Sequence, residues 1–129
     1  LLILNKFLFL DTGLYLREAQ LDLANWSVDT PAEFVNRGKL AEMFVGLELK
    51  KSGSPLDDTS LFYWRREAKS SNAEVDYVVQ HKNGVLPIEV KAGKKGSMKS
   101  LSILMSEKKI PLGIRTSQEN FSKLGTIRI

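Results

Sequence analysis

Two runs of alternating apolar and polar residues, 73–80 and 85–92, flank the dipeptide Asn83-Gly84. Asn-Gly is the strongest short sequence signal for a two-residue turn between antiparallel strands. The sequence therefore predicts a β-hairpin here. A hairpin constrains the fold more than any other local signal in the chain, because its register decides which side chains share a face.

The longest predicted helix begins at a capping box, residues 30–33 (TPAE), with proline at the first helical position, and ends near Lys51. Apolar residues at helical spacing give this helix a core-facing stripe, and Glu42 and Glu48 flank the stripe on opposite sides. The other face is also apolar. A second contact is therefore expected, with the N-terminal strand or with a missing domain.

The remaining predicted elements are shorter. They are a strand over 1–11, a helix over 14–23, a strand over 61–65, a helix over 97–109, a strand over 112–116, a helix over 118–124 and a strand over 126–129. The core order is helix, strand, strand, strand, helix, strand, preceded by an extra strand. This order predicts an α/β layer arrangement.

The 129 residues have the size of one domain, and no linker divides them, so 1–129 is interpreted as a single domain. The chain opens at Leu1 with strand-like sequence, so we expect a fragment of a longer protein. The absence of cysteine and of long apolar runs favours a cytoplasmic protein that does not enter a membrane. A net charge of +4 is compatible with DNA as a partner, although charge alone favours an ordinary solvated surface.

Acidic residues and a lysine share one face of the predicted hairpin. Side chains alternate along a strand, so Glu89 and Lys91 point to the same face. A two-residue loop at the Asn-Gly dipeptide pairs Lys82 with Val85. Continuing that ladder places Asp76 opposite Lys91 and diagonal to Glu89. The three side chains then converge, whereas a loop one residue longer would move Asp76 to the other face.

Two carboxylates in this arrangement form an oxygen-rich site suited to Mg²⁺ or Mn²⁺. The predicted ligands are Asp76, Glu89 and the carbonyl of Val90, with Glu42 holding the metal through water or supporting a second ion. Such a metal polarises a phosphodiester and generates hydroxide from bound water, while Lys91 orients that water or stabilises charge on the phosphate. The alternative is that these polar residues are simply the solvent face of an antiparallel hairpin.

The placement of Glu42, Asp76 and Glu89-Val90-Lys91 on a helix and two strands resembles the PD-(D/E)XK nuclease superfamily, which has the restriction-endonuclease-like fold. More closely, six segments in order resemble the C-terminal domain of unknown function attached to bacterial and archaeal AAA-type ATPases. These segments are FLFLDTGL (7–14), GKLAEMFVGLEL (38–49), FYWRRE (62–67), AEVDYVV (73–79), LPIEVKAG (86–93) and MKSL (98–101).

The resemblance implies a PD-(D/E)XK core, with a central mixed sheet flanked by helices, in which Glu42, Asp76, Glu89 and Lys91 are the catalytic residues. It also implies a parent chain with an N-terminal ATPase domain as the partner. The glycine-rich basic run 93–97 lacks the spacing of a phosphate-binding loop, so we expect no ATP binding by this chain. Two functions remain open. One is a divalent-metal-dependent DNA nuclease, and the other is a catalytically silent nuclease-fold domain that binds DNA or a protein partner.

Overall fold

The computed structural model describes residues 4–21, 31–54, 60–67, 72–94 and 96–119. The elements in these ranges are β1 (Leu4–Asn5), α1 (Thr12–Glu18), α2 (Pro31–Ser52), β2 (Phe62–Arg65), β3 (Glu74–His81), β4 (Gly84–Val90), α3 (Lys99–Lys108) and β5 (Ile114–Thr116). The described strands form one sheet in the order β1-β2-β3-β4-β5, antiparallel throughout except for the parallel pair β4 and β5. The predicted α/β class, mixed sheet and core element order are confirmed.

Two predicted C-terminal elements cannot be compared with this structure. Residues 120–129 lie outside the described residues, and they include most of the predicted helix over 118–124 and all of the predicted strand over 126–129. Among the described helices, none has the length and apolar content needed to cross a bilayer.

The predicted hairpin is present, but its turn comes one residue early. β3 ends at His81, which pairs with Gly84, so the loop is Lys82-Asn83. Lys82 has a φ of 51° and thus takes the left-handed conformation that such a tight loop requires. Because Lys82 lies in the loop, its predicted pairing with Val85 is wrong.

The shifted turn changes which residues face one another across the hairpin, but not the faces themselves. The observed pairing ends with Tyr77 and Ile88, and one further step in the same register would set Asp76 against Glu89. The predicted position of Asp76 opposite Lys91 is therefore wrong. Moving the turn by one residue displaces each partner by two, which is the repeat of side-chain alternation along a strand.

β3 also contains one more residue than β2 where the two strands pair. Phe62 pairs with Val78, but Trp64 pairs with Val75, so three steps along β3 oppose two steps along β2. An extra residue of this kind is a β-bulge, which bends a strand and redirects the side chains within it. Asp76 lies inside the bulge, so strict alternation does not fix where its carboxylate points.

Two apolar clusters cover the two faces of the sheet. The first joins the sheet to α3 and contains Trp64, Ala73, Val75, Leu101, Leu104, Met105 and Ile110, with Val78 packed against it. The second joins the sheet to α2 and contains Tyr77, Ile88 and Val90, with the predicted stripe residues Ala41, Val45 and Leu49 packed against it. Val78 and its neighbours Tyr77 and Val79 belong to different clusters, as alternation along a strand requires.

Between residues 4 and 11, the N-terminal segment is mostly not a strand. β1 contains only two residues, and the chain from Lys6 to Leu10 is irregular, so the strand predicted over 1–11 is wrong for residues 6–10. Leu8 instead packs on α2 at Gly46, where a Cβ atom would lie 3.1 Å from its Cδ1. On the second apolar face of α2, the buried Met43 lines the same cavity as Leu8, so this segment supplies one of the two contacts expected for that face.

α1 is shorter than the helix predicted over 14–23. It ends at Glu18, and it begins earlier than predicted because the Asp11 side chain accepts a hydrogen bond from Leu14 N–H at 2.8 Å. This is the usual role of aspartate at a helix N-cap.

Candidate metal centre

Asp76 accepts two hydrogen bonds, one from within the sheet and one from the N-terminal segment. Its carboxylate Oδ2 accepts a hydrogen bond from the Val90 backbone N–H at 2.7 Å. Its own backbone carbonyl accepts one from Lys6 Nζ at 3.0 Å. The bulge places the half-buried Asp76 carboxylate against the backbone of the residue that follows Glu89. One carboxylate oxygen is thus fixed by the fold.

Glu89 is a buried carboxylate with one satisfied and one unsatisfied oxygen. The residue is only 5% exposed. Lys91 Nζ donates to Glu89 Oε1 at 2.6 Å, whereas Oε2 is buried and has no hydrogen-bond partner among the described residues. Burial raises the pKa of the Glu89 carboxyl, the hydrogen bond from Lys91 opposes that rise, and the negative charge of Asp76 adds to it. An unsatisfied buried group of this kind costs about 1–3 kcal/mol or more.

No contact among the described residues joins Glu42 to Asp76 or Glu89. Glu42 lies on α2 and forms an ion pair with Lys6. Its backbone carbonyl accepts a hydrogen bond from the Tyr77 hydroxyl at 2.8 Å. Glu42 is therefore paired with Lys6, which was not among the predicted site residues, and Glu89 is paired separately with Lys91.

Lys6 is the residue that sequence reasoning missed. Its ammonium lies 4.6 Å from the centroid of the Tyr77 ring and 5.6 Å from that of Tyr63. Burial lowers the pKa of Lys6, while the charges of Asp76, Glu74 and Glu89 oppose that shift. The sequence did contain one signal, because Lys6 is the only charged residue among the first ten. An isolated lysine in an apolar run needs a partner when the run is buried.

A second missed residue is Arg115, which pairs with Glu89 in the parallel ladder between β4 and β5. Its guanidinium donates to the Lys94 carbonyl at 2.6 Å, while its Nε is buried without a hydrogen-bond partner among the described residues. Arg115 is thus the backbone neighbour of Glu89 on β5, and its guanidinium binds the Lys94 carbonyl.

The candidate residues are compatible with a divalent ion that has few protein ligands. Within the described residues, no three Asp, Glu, His or Cys side chains lie close enough together to form a ligand group. The Asp76 and Glu89 carboxylates with the Val90 carbonyl would offer three oxygen ligands to an ion, and Mg²⁺ commonly keeps several waters beyond a few protein oxygens. The unsatisfied Oε2 of Glu89 is the atom that such an ion would satisfy.

Comparison with known proteins gave one match. A family model described as a domain of unknown function, DUF4143, matches residues 37–128. The matched region contains Glu42, Asp76, Glu89 and Lys91, but it does not extend to Lys6. No curated protein and no solved structure matches the chain. The match supports the resemblance to a domain of unknown function, whereas the relationship to PD-(D/E)XK nucleases stays a prediction.

Proposed function

Since the chain belongs to the DUF4143 family of domains of unknown function, we propose its function from its own residues: it is a divalent-metal-dependent nuclease module that hydrolyses phosphodiester bonds in DNA. The main support is the buried Oε2 of Glu89, which has no hydrogen-bond partner among the described residues and lies one residue from the backbone that binds Asp76. A catalytic role or a bound ion is among the reasons for which proteins keep such costly groups.

In this proposal Asp76, Glu89 and the Val90 carbonyl hold a Mg²⁺ or Mn²⁺ ion, with Glu42 at the edge of the site. The chemistry supplied by a bound ion is polarisation of the phosphodiester and a water of lowered pKa. The hydrogen bond from Val90 N–H orients Asp76, because it occupies Oδ2 and leaves the other carboxylate oxygen for ligation. Positions fixed in this way lose little entropy on binding.

Lys91 has the position expected of the residue that stabilises charge on the phosphate. Its side chain is 27% exposed, so its ammonium reaches solvent while it also contacts Glu89 Oε1. A fixed ammonium beside the reacting phosphate stabilises the negative charge that grows during hydrolysis. Glu89 in turn holds Lys91 in place, which links the metal ligand to the phosphate contact.

The second candidate function is a catalytically silent nuclease-fold domain that binds DNA or a protein partner, including the ATPase part of a longer parent chain. The ion pair between Glu42 and Lys6 favours it, because Glu42 is then engaged away from Asp76 and Glu89. A silent domain would keep the fold and the basic surface without turnover.

A cleavage assay tests the proposal. Plasmid, linear and branched DNA are incubated with the protein and Mg²⁺ or Mn²⁺, with and without a chelator. Asp76→Ala removes a ligand and should lower the cleavage rate by about 100-fold or more. Glu48→Gln is the matched control, since Glu48 is exposed on α2 and forms an ion pair with Lys51 at 3.2 Å.

Cleavage that needs the metal, is kept by Glu48→Gln and is lost in Asp76→Ala would support the nuclease. DNA binding without metal-dependent cleavage of any substrate would instead favour the silent domain.

A further inference from the structure

The Lys6 ammonium lies in a complete cation site made by other parts of the chain. It contacts the Glu42 carboxylate and the Asp76 backbone carbonyl, the latter at 3.0 Å, and it lies over the faces of Tyr77 and Tyr63 at 4.6 Å and 5.6 Å. An anion, a carbonyl dipole and two aromatic faces are the groups that attract a cation in a partly desolvated position. The chain itself therefore supplies the positive charge beside Glu42.

The backbone on both sides of Lys6 is anchored. Immediately before it, Asn5 pairs with Phe62 in the sheet. Two residues after it, Leu8 packs on α2 at Gly46. The Lys6 side chain is only 19% exposed. Anchors on either side restrict the ammonium to the space between α2 and β3.

A divalent ion ligated by Glu42 would have to share this space with the ammonium. Glu42 Oε1 forms the ion pair with Lys6, and the Asp76 carbonyl accepts a hydrogen bond from the same ammonium. Repulsion between an ammonium and a divalent ion at such short range is strong in a partly buried site. Glu42 is therefore not available as a metal ligand while Lys6 is in place.

We propose that Lys6 acts as a fixed internal cation that neutralises Glu42, so that the centre binds one divalent ion, at Asp76 and Glu89, instead of two. This inference rests on the proposed function, because it concerns the metal stoichiometry of the same site. Lys6 is a positioning residue. Its bond to the Asp76 carbonyl also holds the bulge from which the Asp76 carboxylate reaches Val90.

The number of bound Mn²⁺ ions tests this inference without any measurement of activity. Free Mn²⁺ is titrated by electron paramagnetic resonance against the wild-type chain and against Lys6→Met, Glu42→Gln and Lys39→Met. Methionine keeps the length and apolar stem of the lysine but removes its charge. Lys39 is the matched control, because it is an exposed lysine on the same helix as Glu42.

We expect one ion in the wild type and in Lys39→Met, and two ions in Lys6→Met, where Glu42 becomes free to bind the second. Glu42→Gln should still bind one ion, with affinity lowered by about tenfold at most, since Glu42 lies outside the ligands of that ion. Thermal melting of each variant confirms that it is folded. If Lys6→Met does not fold, the number of Mn²⁺ ions bound by Glu42→Gln tests the inference.

The failures of the two proposals are distinguishable. No bound ion in the folded wild type would overturn the proposed function and this inference with it. Two ions in the wild type, one ion in folded Lys6→Met, or loss of the ion in Glu42→Gln would overturn the role of Lys6 and leave the nuclease proposal standing.

Discussion

Replacing Glu89 by glutamine isolates the energetic cost of the buried carboxylate. Glutamine keeps the shape of the side chain and the acceptor for Lys91, but it removes the charge that is buried at 5% exposure with one oxygen unsatisfied. Relief of that unsatisfied charged oxygen is worth about 1–3 kcal/mol, and the weaker bond to Lys91 costs about 1 kcal/mol. In the absence of metal and at neutral pH, Glu89→Gln should therefore be between equally stable and about 2 kcal/mol more stable than the wild type.

The difference in stability should depend on pH, and its sign follows from the pKa of Glu89. Burial raises this pKa above its ordinary value of 4.5, so the folded state binds the proton more tightly than the unfolded chain does. Below pH 4.5 the carboxyl is protonated in both states and resembles glutamine. As the pH rises through the raised pKa of the folded state, the wild type loses stability that Glu89→Gln keeps. The advantage of the variant should therefore grow with pH.

Urea unfolding of metal-free protein between about pH 4 and pH 8 measures this difference. Glu48→Gln is the control, because Glu48 is exposed and its replacement should change the free energy of unfolding by about 0.5 kcal/mol or less at every pH. Two results would refute the reasoning. One is Glu89→Gln less stable than the wild type by more than about 1 kcal/mol at neutral pH, and the other is a difference that does not change with pH.

Three further variants test the packing around the site by urea unfolding. Asp76→Asn weakens the acceptor for the Val90 N–H and should lower the free energy of unfolding by about 1 kcal/mol without metal; no loss would show that this bond does not stabilise the fold. Gly46→Ala should lower it by about 1–3 kcal/mol, because the new Cβ would lie 2.9 Å from Tyr77 Cζ. Gly38→Ala, on the same helix with nothing within 4 Å of the new Cβ, should raise it by up to about 1 kcal/mol, and equal effects at the two glycines would contradict the packing described.

The parts of the fold that could be predicted from the sequence are those with local signals. The hairpin and the long helix were predicted from an Asn-Gly dipeptide and a capping box, which act over a few residues. The exact turn was missed because Lys82 takes the positive φ, and lysine has no special preference for that conformation. The apolar N-terminal run predicted a strand, but tertiary packing on Gly46 decided its course instead.

For the candidate site, the sequence predicted one contact between the proposed residues but not the partners that come from distant parts of the chain. The pairing of Glu89 with Lys91 follows from alternation along one strand, and the structure places these side chains in contact. The contact between Lys6 and Asp76 joins residues that are 70 apart in the chain, and no periodicity reports such a contact. The bulge at Asp76 is likewise a feature of how β2 and β3 pair, and it could not be predicted from either strand alone.

The central claim is that Asp76 and Glu89 together hold a divalent ion, and metal-linked stability tests it most directly. The free energy of unfolding is measured for the wild type and for Glu89→Gln, each with and without Mn²⁺. An ion that binds only the folded state should stabilise the wild type by about 2.7 kcal/mol at a hundredfold excess over its dissociation constant. Glu89→Gln should gain much less, because it has lost a charged ligand. No gain in the wild type, or the same gain in both proteins, would contradict the claim.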